Sequence, residues 1–165
     1  MTPEGHEVER KFVLSDRPPA LESQPHQRIE QGYVAIGEDG VEVRVRRAGD
    51  ECTLTVKSAP GLARVEEELS IDERRFEALW RLTAGRRVVK TRYLVPLGDD
   101  VTAEVDDYAA DLADLMTAEV EFASEEASAA FVPSEWLGRE VTGDERYANR
   151  SLAVRGAPES PQPGQ

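Results

Sequence analysis

Val41-Glu42-Val43-Arg44-Val45-Arg46-Arg47-Ala48 alternates apolar and charged side chains through its first six positions. Successive side chains of a strand point to opposite faces. The stretch therefore reads as a strand with Val41, Val43 and Val45 on one side and Glu42, Arg44 and Arg46 on the other. Gly37-Glu-Asp-Gly40 before it and Gly49-Asp50 after it are turn signals that bound it.

The same period of two continues in both directions. Strands are expected over residues 7–14, 28–35, 41–48, 52–58, 64–71, 88–95, 101–108 and 117–123. Glu7, Glu9 and Lys11 share a face opposite Val8, Phe12 and Leu14. Thr53, Thr55 and Lys57 oppose Cys52, Leu54 and Val56, and Arg64, Glu66, Glu68 and Ser70 oppose Val65, Leu69 and Ile71. Lys90 and Arg92 lie opposite Val89, Thr91 and Tyr93. Glu104 and Asp106 oppose Val101, Ala103 and Val105, while Glu119 and Glu121 oppose Val120 and Phe122. Helical periodicity is confined to residues 72–83, with Asp72 as N-cap and a stripe of Phe76, Leu79, Trp80, Leu82 and Thr83, and to 125–131 and 144–154. Many short strands and a few covering helices make an antiparallel α+β domain.

Parity leaves two arrangements open. A half-buried antiparallel sheet with its charged face in water explains the pattern. So does a closed barrel with its charges inside, where a dry lumen would be costly and one holding water, metal and a polyanion tolerable. Like-charged pairs at spacing two are no more frequent than composition dictates, but all of them fall inside expected strands.

Acidic residues number 33 against 20 Lys and Arg, a formal net charge of −13. Nucleic-acid and anionic-membrane binders usually carry a basic surface, so neither partner is expected. A phosphate ligand would need locally concentrated Lys and Arg, with metal cations offsetting the carboxylates. No apolar run approaches the ~18 residues of a membrane span, and the N-terminus has neither the basic start nor the apolar run of a signal peptide. One cysteine excludes an internal disulfide and a thiolate-rich zinc site. His6 and His26 lack metal-ligand spacing, Cys52 sits on an apolar face, and there is no P-loop or nucleophile constellation. The expectation is a cytoplasmic protein with one domain over 1–155 and a Pro/Gly/Gln-rich disordered tail over 156–165.

Glu7-Val-Glu9-Arg-Lys11 is followed in order by Gln31-Gly32-Tyr33, Glu42-Val-Arg44-Val-Arg46 and Leu54-Thr-Val-Lys57-Ser58. Then come Arg64-Val-Glu66-Glu-Glu68, Lys90-Thr-Arg92-Tyr93, Glu104-Val-Asp106, Glu119-Val-Glu121-Phe122 and Gly138-Arg-Glu140 through Asn149. This ordered series resembles the CYTH domain, the triphosphate tunnel metalloenzyme superfamily, from residue 7 to about 154. It is most similar to the short single-domain bacterial inorganic triphosphatases.

The resemblance implies a closed eight-stranded antiparallel β-barrel, the triphosphate tunnel, with its charged faces inward. It implies divalent-metal-dependent hydrolysis of a linear triphosphate, inorganic tripolyphosphate first, releasing orthophosphate. The alternatives are a class IV-type adenylyl cyclase, a thiamine triphosphatase or nucleoside triphosphatase, and a non-catalytic polyphosphate or nucleotide sensor. Lys11, Arg44, Arg46, Lys57, Lys90 and Arg92 have the parity to bind phosphate, Arg as a planar fork and Lys as a mobile charge; the alternative for each is a cross-strand ion pair. Tyr33 either hydrogen-bonds phosphate or is structural. Arg146 and Tyr147, with Asn149, lie in a last helix that in relatives can close one tunnel mouth; the alternative is a packed and capped terminal helix. By the resemblance Glu7, Glu9, Glu119 and Glu121 hold Mg²⁺ or Mn²⁺, hard cations that take oxygen ligands. Glu66, Glu68, Glu104 and Asp106, with Lys90, complete the catalytic set by holding water, a second metal or the basic side chains. The partner is then a small-molecule triphosphate, with a homodimer as an option for assembly.

Overall fold

The computed structural model describes residues 8–59 and 65–159. Glu7, one of the expected metal ligands, lies outside them, as do residues 60–64 and the 160–165 end of the expected tail. The strands are β1 (Val8–Val13), β2 (His26–Ile36), β3 (Glu42–Ala48), β4 (Glu51–Lys57), β5 (Glu66–Ile71), β6 (Arg87–Gly98), β7 (Val101–Tyr108), β8 (Met116–Phe122) and β9 (Arg139–Glu140). Among the described residues the α-helices are α1 (Glu73–Trp80), α2 (Glu125–Ala130) and α3 (Asn149–Arg155). Among the described residues no helix is long and apolar enough to cross a membrane.

The hydrogen-bonded order is β5-β4-β3-β2-β6-β7-β8-β1-β9. Among the described residues nine strands stand where eight were expected. The addition, β9, is only two residues long and pairs with Phe12 and Val13 of β1. No pairing closes the order from β5 to β9 among the described residues, so hydrogen bonds leave the sheet open where a closed barrel was expected.

Two compact units divide the chain: residues to 27, 91–109 and 113–144 in the first, and 28–90, 110–112 and from 145 on in the second. In unit 1, β1, β7 and β8 bury Phe12, Ala103, Val105, Ala118, Val120 and Phe122, the apolar faces that alternation assigned. Arg10, on that same apolar side of β1, is held by a fork onto Glu140 (2.9 and 2.8 Å), by the carbonyls of Ser128 and Phe131, and by the Phe12 and Phe131 rings.

In unit 2, α1 begins where expected, with Asp72 accepting from the Arg75 amide at 2.8 Å. It buries Phe76 against Val45 and Cys52. Arg47 lies over the Phe76 ring at 4.6 Å and pairs with Glu30 and Glu77. Two expectations fail here. The helix gives way to a 3-10 turn at Arg81–Thr83, which rotates Leu82 out of the apolar stripe to 57% exposure. The apolar face of β5 is also only partly covered: Ile71 packs against the Phe76 cluster, whereas Leu69 is 57% exposed. Gly32 in β2 is required by packing: a Cβ there would come within 2.6 Å of the Thr83 side chain.

Candidate functional site

Unit 1 gathers carboxylates. The β1–β8 register sets Glu9 opposite Glu121 and Lys11 opposite Glu119, and the β7–β8 register sets Glu104 opposite Glu119. Because period-two parity puts all of these on one face, they converge. Glu9, Glu104, Glu119 and Glu121 line a cavity of about 390 Å³ together with Asp100 and Thr102. Burial, then the charge of Glu119, pushes the Glu9 carboxyl above its ordinary range, and Lys11 only partly offsets this.

The two cations of this face are both held by acids. Lys11 Nζ lies 3.0 Å from Glu119. Arg92 makes a fork onto the buried Asp106 (2.8 and 2.9 Å) and reaches Glu104 at 2.9 Å. Burial works against the Arg92 charge, but the Asp106 bonds outweigh it and raise its pKa. Buried Tyr108 is also pushed up, by burial first and by the charge of Asp106 second.

The carboxylate-rich cavity fits a hard divalent cation. Like charges crowded together in a partly desolvated pocket need a counter-charge, and oxygen donors suit that class of ion. Among the described residues no three such side chains form a metal cage by themselves. Phosphate oxygens and water commonly supply the other ligands of Mg²⁺.

Unit 2 gathers cations. The β2–β3 register sets Tyr33 opposite Arg44 and Gln31 opposite Arg46, while β3–β4 sets Glu42 opposite Lys57 and Arg44 opposite Thr55. Tyr33 is buried and its hydroxyl accepts from Gln31 Nε2 at 3.0 Å. Burial raises its pKa, Gln31 opposes that, and Glu42 adds to it. Lys90 is 2% exposed, with Nζ 3.4 Å from Asn149 Oδ1 of α3. The Nε of Arg44 is buried with no hydrogen-bond acceptor among the described residues. A buried guanidinium N–H without an acceptor is costly, and a phosphate oxygen would satisfy it.

The expected catalytic acids separate between the units. Glu104 and Asp106 serve Arg92 in unit 1. Glu66 lies 3.7 Å from Lys57, and Glu68 accepts from the Thr55 hydroxyl at 3.2 Å, both on the exposed strand β5 of unit 2. Arg146 and Tyr147 do not lie in the last helix as expected but in a 3-10 turn (Glu145–Tyr147) that extended Ala148 separates from α3. Tyr147 is buried, and Arg146 is exposed with its guanidinium 6.0 Å from the Tyr147 ring. Two partners escaped sequence reasoning. Gln31 was read only as part of a motif, although its parity with Tyr33 was available. Arg150, whose Nη1 is 3.7 Å from Glu42, had no signal, because a helix-to-strand contact leaves no period in the sequence.

No protein-family model matches the chain. It is 46% identical to the inorganic triphosphatase of Nitrosomonas europaea over 149 residues, 90% of this chain and 97% of that protein. It is 36% identical to the inorganic triphosphatase of Acetivibrio thermocellus over 151 residues, 90% of this chain and 93% of the relative. A crystal structure of an inorganic triphosphatase superposes with a TM-score of 0.78 at 43% identity, covering 90% of this chain and 94% of the other. A Hippeastrum protein classed with adenylyl cyclases, and described as having a dominant triphosphatase activity, shares the fold at a TM-score of 0.51 and 17% identity, over 74% of this chain and 82% of that one.

Proposed function

The chain belongs to the CYTH, or triphosphate tunnel metalloenzyme, superfamily, and we propose that it hydrolyses a linear triphosphate, inorganic tripolyphosphate before others, releasing orthophosphate. The observation that carries the reading is the division of charge. One strand face crowds Glu9, Glu104, Glu119 and Glu121 around a cavity, and another carries Arg44, Arg46, Lys57 and Lys90 with a buried donor in need of an acceptor. The two inorganic triphosphatases named above match this chain over nearly their whole length.

In this reading Arg44 and Arg46 bind phosphate oxygens by their forks, and Lys57 and Lys90 supply point charges along the chain of phosphates. Glu66 and Asn149 hold the two lysine ammoniums in place. Arg92, fixed by Asp106 and Glu104, and Lys11, fixed by Glu119, present charge that needs no reorganisation when the reaction occurs. Tyr33 donates its hydroxyl proton to a phosphate oxygen while accepting from Gln31. Glu9, Glu119 and Glu121, with Glu7, are the residues that would hold Mg²⁺ or Mn²⁺. When bound, such an ion neutralises charge on the phosphates and acidifies water.

The net reaction adds water to a terminal phosphorus, breaks the phosphoanhydride bond and releases orthophosphate and pyrophosphate, with positioning and charge neutralisation doing the catalysis. The closed eight-stranded tunnel is part of the proposal and is supported by the family. The test incubates purified protein with tripolyphosphate, ATP or thiamine triphosphate in Mg²⁺, Mn²⁺ or EDTA. Orthophosphate and pyrophosphate from tripolyphosphate, lost in EDTA, are expected. Cyclic AMP from ATP would replace hydrolysis by cyclisation, and inactivity on all three would leave a sensor.

A further inference from the structure

Glu42 is out of place on a phosphate-binding face. It occupies the same side of β3 as Arg44 and Arg46, its side chain is 12% exposed, and its charge is felt at Tyr33. A carboxylate there repels the polyanion that the neighbouring arginines attract. Lys57, opposite it in the register, lies 3.7 Å from another acid, Glu66. Among the described residues Arg150, in the first turn of α3, reaches Glu42 from outside the strands at 3.7 Å. Asn149, one residue earlier, approaches Lys90 of the same face. Arg150 also borders a cavity of about 680 Å³ with Glu38, Arg86 and Arg155, and its side chain is 41% exposed to solvent.

We propose that Arg150 is a positioning residue for the triphosphate: it masks the charge of Glu42, so that this face attracts the polyanion along its whole length. The inference rests on reading this face of unit 2 as the phosphate-binding one. A purely structural bond between α3 and β3 makes a different prediction. If the contact merely held α3 in place, breaking it from either side would harm binding equally. Charge masking demands opposite signs.

The experiment measures tripolyphosphate binding by calorimetry in EDTA, which suspends metal-dependent turnover, for wild type, Arg150→Ala, Glu42→Gln, the double variant and Arg150→Lys. Arg150→Ala is expected to weaken binding about tenfold and Glu42→Gln to tighten it about threefold, sizes usual for a single partly screened charge next to a polyanion. The double variant should return to within about threefold of wild type, and Arg150→Lys should retain most of the affinity. With Mg²⁺ present, Arg150→Ala should raise KM with kcat held within about twofold. Loss of affinity in both single variants, or a double variant as weak as Arg150→Ala, would overturn the masking role. Wild-type protein that binds tripolyphosphate without hydrolysing it would break the enzymatic reading and leave these dissociation constants to decide the role of Arg150. Wild-type protein that does not bind it would end both.

Discussion

Units 1 and 2 are made from the same alternating strand, yet their charged faces carry opposite excesses. On β1, β7 and β8, with Arg92 of β6, the charged positions are Glu9, Lys11, Arg92, Glu104, Asp106, Glu119 and Glu121, and both Lys11 and Arg92 are held by acids. On β3 and β4, with Lys90 of β6, they are dominated by Arg44, Arg46, Lys57 and Lys90, and a buried guanidinium N–H stays without an acceptor among the described residues. Period two fixes where a side chain points, and the sign of the residue placed there fixes what it can bind. Adjacent residues of β1 repeat the lesson at small scale. Lys11 faces the carboxylates, whereas Arg10, turned the other way, is held by Glu140, two carbonyls and two aromatic rings.

The contrast is broken or sharpened most strongly at Glu9. Glu9→Gln is expected to lower kcat by at least about a hundredfold, the scale of losing a charge-stabilising group. Its melting temperature should be unchanged or higher, because one of the crowded carboxylates is neutralised. Full activity in that variant would remove the metal assignment of unit 1.

Arg44→Ala tests the other side. It should raise KM for tripolyphosphate about tenfold or more, the worth of a charge-assisted bond. An unchanged KM would remove Arg44 from the binding face.

Arg10→Ala strips a guanidinium that is 18% exposed, leaves the carbonyls of Ser128 and Phe131 without this donor, and leaves Glu140 with the Thr142 hydroxyl but no cation. It should cost about 2 kcal/mol of stability, or about 6 °C in melting temperature. The KM of the surviving folded enzyme should not move, unlike that of any change to Lys11.

The smallest effect is one of pH. The Arg10 hydrogen bond holds Glu140 below its ordinary pKa of 4.5. A depressed carboxylate stabilises the fold above the ordinary value and loses that contribution as pH falls through the depressed one. The melting-temperature advantage of wild type over Glu140→Gln should therefore be present at neutral pH and vanish on acidification below 4.5. An advantage that grew with acid would contradict the assignment.

Much of this was legible in the sequence, for physical reasons. Eight strands and their faces follow from alternation, which needs only four or five residues to register, and the α1 cap from Asp72. β9 was invisible because two residues carry no period. The exposure of Leu69 was hidden too, since an apolar face says that it seeks cover and not whether any helix is long enough to give it. In the site, parity marked Glu9, Lys11, Arg44 and Arg92, but it does not reveal that Asp106 and Glu104 both serve Arg92. Nor could it find Arg150, whose partner Glu42 is remote in sequence and belongs to a different kind of element.

In the proposed function the cationic face binds the triphosphate and the carboxylate face turns it over. Calorimetric titration of tripolyphosphate into wild type, Glu9→Gln and Arg44→Ala in EDTA, beside turnover of the same proteins in Mg²⁺, tests it most directly. Glu9→Gln should bind as tightly as wild type, or more so, while turning over nothing measurable, and Arg44→Ala should lose about tenfold in affinity. Binding lost in Glu9→Gln and kept in Arg44→Ala would contradict the division of labour.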